Sequence, residues 1–147
     1  MNNPEVLVRG YVDEDYQAVK GLYAHKEWYG GNFDEARDAR QMLRAEVEHD
    51  PQAILVAESE LAIVGTASLI LTPRMAMLYR FAVRDNDPGV TDDLYQATVG
   101  IVKDRGYTRL DVYTSATNAV LCNRYEALGM ERGGTFRFYW TSLESGQ

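Results

Sequence analysis

One cysteine, Cys122, is too few for an internal disulfide or a multi-cysteine zinc site. The two histidines, His25 and His49, are separated by a full helix-length of chain and make no familiar ligand spacing, so no metal is expected. Positive charge is also scarce. Lys+Arg 15 against Asp+Glu 22 gives a net charge of -7, which speaks against a broad surface for polyanions, and no nucleic-acid partner is expected. Long apolar runs are missing as well. The longest, Leu61 to Leu71, is interrupted by Gly65, Thr66 and Ser68 and reaches only about half the length that spans a bilayer, so no membrane partner is expected. Arg9, Asp13, Glu14 and Asp15 break the first apolar stretch before it can form a signal-peptide core, and the expected compartment is a reducing cytoplasm. No repeat, low-complexity block or Pro/Gly/Ser linker divides the chain. The expectation is one domain over residues 1–147, with 46% hydrophobic residues to build its core.

Val6-Leu7-Val8 reads as a strand, and Asp13 can cap a helix whose apolar positions are Tyr16, Val19, Leu22 and Tyr23. After a break at Gly30-Gly31, Asp34 can cap a second helix carrying Ala36, Ala39, Leu43 and Val47 down to Asp50-Pro51. From Ala53 to Val83 the texture is that of three strands joined by turns at Ser59-Glu60 and Thr72-Pro73-Arg74, an antiparallel meander. Thr91 can cap a third helix, closed at Gly106 by a left-handed residue. Tyr107 to Tyr113 reads as a strand, Asn118 to Leu128 as a helix stopped by Gly129, and Thr135 to Ser142 as a last strand of alternating aromatic and polar residues. The order is β-α-α-β-β-β-α-β-α-β.

That order, with Val8-Arg9 leading into Asp13-x-Asp15 and with Asn118, Tyr125 and Leu128-Gly129-Met130 in the last helix, resembles the GNAT superfamily of acyl-coenzyme A dependent N-acyltransferases. The resemblance covers nearly the whole chain. It implies an α/β fold with a mixed, mostly antiparallel central sheet flanked by helices and opening into a V beside the fourth strand. It also implies transfer of an acetyl group from acetyl-CoA, as cosubstrate, to a primary amine of a small molecule or peptide. Tyr125 would be the general acid that protonates the departing thiolate, a role suited to a positioned phenol. The other reading of Tyr125 is ring packing against the sheet with its hydroxyl at the edge. The main chain of Phe81, Ala82 and Val83 would hold the pantetheine arm, since an amide-bearing arm can satisfy strand groups left without a neighbour. Gly89, Val90 and Asn118 would complete the cofactor side.

Two departures from the family count against turnover. Where a basic residue and small residues would surround the pyrophosphate, the chain has Pro88-Gly89-Val90-Thr91-Asp92-Asp93, preceded by Asp85 and Asp87. Only Gly89 keeps its type, and a carboxylate roughly 5 Å from a phosphate costs about 1 to 3 kcal/mol. The fourth strand carries Met77, Tyr79 and Arg80 in place of a carboxylate base. An alternative therefore stands beside the enzyme: a degenerate GNAT-like binding or interaction module that does not turn over acyl-CoA. On the acceptor side, Glu27, Trp28 and Tyr29 beside Gly30-Gly31 can clamp a cationic amine, or equally form a lid on the core, while Tyr113 can orient an acceptor. Phe136, Phe138 and Trp140 alternate on one face that can pack within one chain or between the subunits of a homodimer.

Overall fold

The computed structural model describes residues 5–29 and 33–144, so the Gly30-Gly31 break lies outside the described residues. Four strands, β1 (Val6–Gly10), β2 (Ile54–Ser59), β3 (Ala62–Thr72) and β4 (Met75–Val83), pair antiparallel in the order β1-β2-β3-β4. Alternate side chains of β2 face opposite layers, which is why that strand reads as an unbroken apolar run. Leu55 and Ala57 join α4 (Pro88–Asp104) and α5 (Ala119–Ala127) in one core. Ile54 and Val56 join α1 (Tyr16–Tyr23), the short α2 (Lys26–Tyr29) and α3 (Arg40–His49) in the other. The sheet is covered on both faces. At Gly65 an added Cβ would lie 2.8 Å from Leu94 Cδ1 of α4, so a larger residue there would have to displace that side chain.

Helix starts differ from the sequence expectations because carboxylates found other partners. Asp13 does not cap α1. Its carboxylate takes Arg40 (2.9 Å) and Arg44 (3.3 Å) across to α3, and a 3-10 turn, Asp13–Asp15, leads into the helix. Asp34 accepts from the amides of Ala36 and Arg37, closing a turn, and α3 begins only at Arg40. Between them Asp38, 2% exposed, accepts from Arg80 Nε and from the Asp34 amide (both 2.8 Å), which turns the segment inward. Asp87, rather than Thr91, caps α4: its Oδ1 accepts from Val90 N (3.0 Å), Pro88 takes the first helical position, and Thr91 is buried one turn in. Gly106 closes that helix at φ +88° as expected.

The last two expected strands are reduced. Tyr107 to Tyr113 contributes a single parallel bridge, Met77 to Asp111, although Tyr107, Leu110 and Val112 still pack on the core. Residues 129–144 contain no strand, and Phe136, Phe138 and Trp140 are about three-quarters exposed. Alternation records β-propensity, but a ladder also needs a paired neighbour, and the bridge at Asp111 does not extend into one.

Asp15 ties β1 to α1 by accepting from Arg9 Nη1 (2.8 Å), Arg9 Nη2 (3.0 Å) and the Val12 amide (2.9 Å). Burial pushes its carboxyl up, but the Arg9 and Val12 hydrogen bonds together outweigh that and hold it below the ordinary carboxylate value. Its contribution to stability is therefore complete above the unfolded carboxyl's pKa and is lost as pH falls through the lowered folded one. We expect Asp15→Asn to cost about 1–2 kcal/mol at pH 7 by urea unfolding. The gap between wild type and variant should close at pH 2–3, and a gap independent of pH would show that charge is not the cause.

Candidate active site

β4 and the segment 107–113 meet at one point, where Leu78 N donates to Asp111 O (2.8 Å) and Asp111 N donates to Ala76 O (3.0 Å). Beyond it they part. β4 carries an extra residue there, since Thr66 opposes Ala82 while Ser68 opposes Tyr79, and Arg80 in this bulge has φ +45°. A left-handed non-glycine residue costs about 1–2 kcal/mol, and here the Asp38 ion pair helps to hold it. The divergence leaves a cleft of about 280 Å³ lined by Tyr29, residues 77–81, residues 112–114 and Tyr125. This is the V expected beside the fourth strand.

Tyr125 reaches the cleft from α5. Asn118 starts that helix by accepting from Leu121 N (3.1 Å), and Gly129, at φ +93°, ends it. Asn118 thus acts as a cap, and it does not line the cleft. Tyr125 is 8% exposed, its ring 6.2 Å from that of Phe81. Its hydroxyl oxygen accepts from Arg124 Nη2 (3.2 Å). The same Nη2 donates to Phe81 O (3.2 Å), while Nη1 donates to Trp28 O and Asn86 Oδ1 (both 3.4 Å). So the Phe81 carbonyl, expected to serve pantetheine, already has one partner. Ala82 and Val83 are fully buried and lie beyond the cleft lining.

Of the acceptor residues, Tyr29 and Tyr113 line the cleft and Glu27 and Trp28 do not. Glu27 is exposed, and its own backbone amide, then His25, hold its carboxyl below the ordinary value. Trp28 stacks on His25 with ring centres 3.8 Å apart. Tyr29 is buried beside Tyr23, and burial pushes its phenol well above the ordinary value. The cation at this wall is Arg80, whose guanidinium lies 4.4 Å from the Tyr79 ring and 5.4 Å from that of Tyr29. No carboxylate is among the lining residues. Sequence reasoning passed over Arg80, Asp38 and Arg124. A signal existed for the last: Leu121, Arg124, Tyr125 and Leu128 follow the i, i+3, i+4, i+7 spacing of an inward face, so a cation on it had to be buried.

The start of α4 is where the resemblance expects a pyrophosphate. Pro88 has no N–H, the Val90 amide is held by Asp87, and of the first-turn donors only the Gly89 amide is left without a partner among the described residues. Gly89 is exposed beside the Asp87 carboxylate; Asp92 and Asp93 are exposed further along. A wider groove of about 490 Å³ lies at the far end of β3, but its Arg105 is paired with Asp50 at 2.6 Å. Among the described residues no helix is long and apolar enough to cross a membrane, and no group of three His, Cys, Asp or Glu is placed to hold a metal ion.

A sheet opened beside β4, covered by α1 and α3 on one face and by α4 and α5 on the other, is the fold of the GNAT N-acetyltransferases. Solved structures bear this out. The chain is similar to the PaiA N-acetyltransferase of Thermoplasma acidophilum in complex with coenzyme A, at TM-score 0.73 and 16% identity over 84% of this chain and 87% of that one. An aminoglycoside N-acetyltransferase in complex with CoA matches at TM-score 0.71 and 18% identity, over 95% and 97%. The diaminobutyrate acetyltransferase EctA of Paenibacillus lautus, in complex with L-2,4-diaminobutyric acid and coenzyme A, matches at TM-score 0.65 and 19% identity, over 86% and 75%. No family model and no curated protein matches the sequence.

Proposed function

We propose that the chain is a GNAT N-acetyltransferase that moves an acetyl group from acetyl-CoA to a primary amine of a small molecule or peptide. The observation that supports this reading is that Tyr125 is among the residues lining the cleft beside the bulged β4. In this reading the thioester lies along the cleft wall of β4 and the amine enters past Tyr29 and Tyr113. The uncharged amine attacks the carbonyl carbon, the C–S bond breaks, and the thiolate takes the Tyr125 proton. Among the described residues no carboxylate lines the cleft, so in this reading the proton from nitrogen leaves through water. The CoA-bound neighbours and their amine acceptors support the donor and the acceptor class. The compartment we propose is the reducing cytoplasm, where Cys122 stays a thiol.

A second reading is favoured by Asp87, which occupies the helix end where a pyrophosphate would bind. In it the domain binds a partner and does not turn over acyl-CoA. Calorimetry with acetyl-CoA at low salt, followed by free-thiol release in the presence of primary amines, separates the two. Heat of binding and amine-dependent thiol support the transferase. No binding up to millimolar acetyl-CoA removes it.

A further inference from the structure

Arg124 is 9% exposed and belongs to none of the ion pairs among the described residues. Its Nε is buried without a hydrogen-bond partner among the described residues. A guanidinium cannot shed its proton in a protein, and a buried cation without a counter-charge is expensive to keep. The neighbours it does have are π-faces and uncharged oxygens. The guanidinium lies 4.5 Å from the Phe81 ring centre and 5.1 Å from that of Tyr125, and it donates to the Tyr125 hydroxyl at 3.2 Å. Arginine has no acceptor, so in this contact the phenol oxygen accepts and its own proton is free for another partner. A negative charge arising on that oxygen would be the missing counter-charge.

We propose that Arg124 is a positioning residue for the acyl-transfer step: it leaves the Tyr125 proton free for the departing thiolate and stabilises the phenolate that remains. The inference rests on the reading of Tyr125 as the acid. When the tetrahedral adduct collapses, the C–S bond breaks and its electron pair stays on sulfur, which takes the Tyr125 proton. The phenolate, paired with the Arg124 guanidinium, regains a proton through water from the nitrogen that became the amide. Charge and protons balance with no further reactant. Preorganised donors aimed at developing charge commonly contribute about 10²–10³ in rate.

The experiment compares two acyl donors. Acetyl-CoA has a basic thiolate that needs a proton, whereas the acetyl thioester of 4-nitrothiophenol releases an acidic thiol that does not. Arg124→Met, after thermal melting shows it folded, should lower kcat with acetyl-CoA by about 10²-fold and leave transfer from the nitrothiophenyl donor within about 3-fold. The double variant Arg124→Met/Tyr125→Phe should be no slower than Tyr125→Phe within the same margin, because the two side chains act as one unit. Should Arg124→Met fail to fold, Arg124→Lys keeps the charge, and its loss should again be confined to acetyl-CoA. Equal losses with both donors, or losses that multiply in the double variant, overturn the role of Arg124 while leaving Tyr125 as the acid. Tyr125→Phe without effect, or a wild type that transfers from neither donor, overturns the transferase reading and this role with it.

Discussion

Tyr125→Phe is expected to lower turnover with acetyl-CoA by about a hundred-fold or more, while affinity for the cofactor changes by no more than a few-fold. General-acid assistance acts in the transition state, so its loss falls on kcat and spares ground-state binding. Phenylalanine keeps the ring in place against Phe81, 6.2 Å away, so the core of α5 on β4 is preserved. Only one oxygen is removed. Arg124 Nη2 then loses an acceptor but keeps Phe81 O, and the stability cost should stay near 1–3 kcal/mol. Assays well below the melting transition therefore isolate the chemistry from the fold. The packing reading of Tyr125 predicts the opposite split, with a lower melting temperature and unchanged kcat. Full turnover in the variant on an identified acceptor would rule Tyr125 out as the acid.

Much of the fold was legible because burial and periodicity coincide in it. β2 reads as a continuous apolar run and has a helical layer on each face, and α1 buries the Tyr16, Val19, Leu22 and Tyr23 stripe read from its spacing. The Asn118 to Gly129 helix has the expected ends, since a side-chain cap and a left-handed glycine are both local devices. What sequence did not reveal depends on partners far apart in the chain. Asp38 and Arg80 are 42 residues apart, and neither carries a local signal that it will enter a 2.8 Å buried pair. Asp87 and Thr91 are both good caps by type. The choice fell to Asp87 because Pro88 has the fixed φ of a first helical residue and no amide to lose, which places the helix start four residues earlier than Thr91 would. The Thr135 to Ser142 alternation reads as a strand, but pairing is decided by the neighbour, and none is in place for it among the described residues. Glu27 lies on a four-residue helix, exposed beside His25 and outside the cleft lining, a placement that its spacing in the sequence does not signal.

In the transferase reading, the position of the cap sets which carboxylate a bound coenzyme A would meet. The sequence puts Asp85, Asp87, Asp92 and Asp93 around the pyrophosphate place without ranking them; in the structure Thr91 is buried inside the helix with its hydroxyl donating to Asp87 O (2.7 Å), and Asp93 is exposed further along. The carboxylate at the helix end is Asp87, which already holds the Val90 amide and leaves Gly89 as the free first-turn donor. Asp87→Asn should therefore tighten coenzyme A binding by about five-fold to a hundred-fold at low salt, from the roughly 1 to 3 kcal/mol that one carboxylate near a phosphate costs. Asparagine caps about as well as aspartate, so the helix start is retained, and the loss of a charge that favours the helix dipole should cost only about 0.3–1 kcal/mol of stability. Calorimetry on the wild type, Asp87→Asn and Asp93→Asn makes the comparison, with Asp93→Asn expected within about two-fold of wild type because it lies beyond the first turn, away from the helix end. The gain from Asp87→Asn should shrink as salt is raised. A wild type that binds at micromolar level with no gain in the variant means that the pyrophosphate lies away from this carboxylate. Binding by none of the three means that the defect lies beyond the cap, and the non-catalytic reading of the domain then gains the support that the transferase loses.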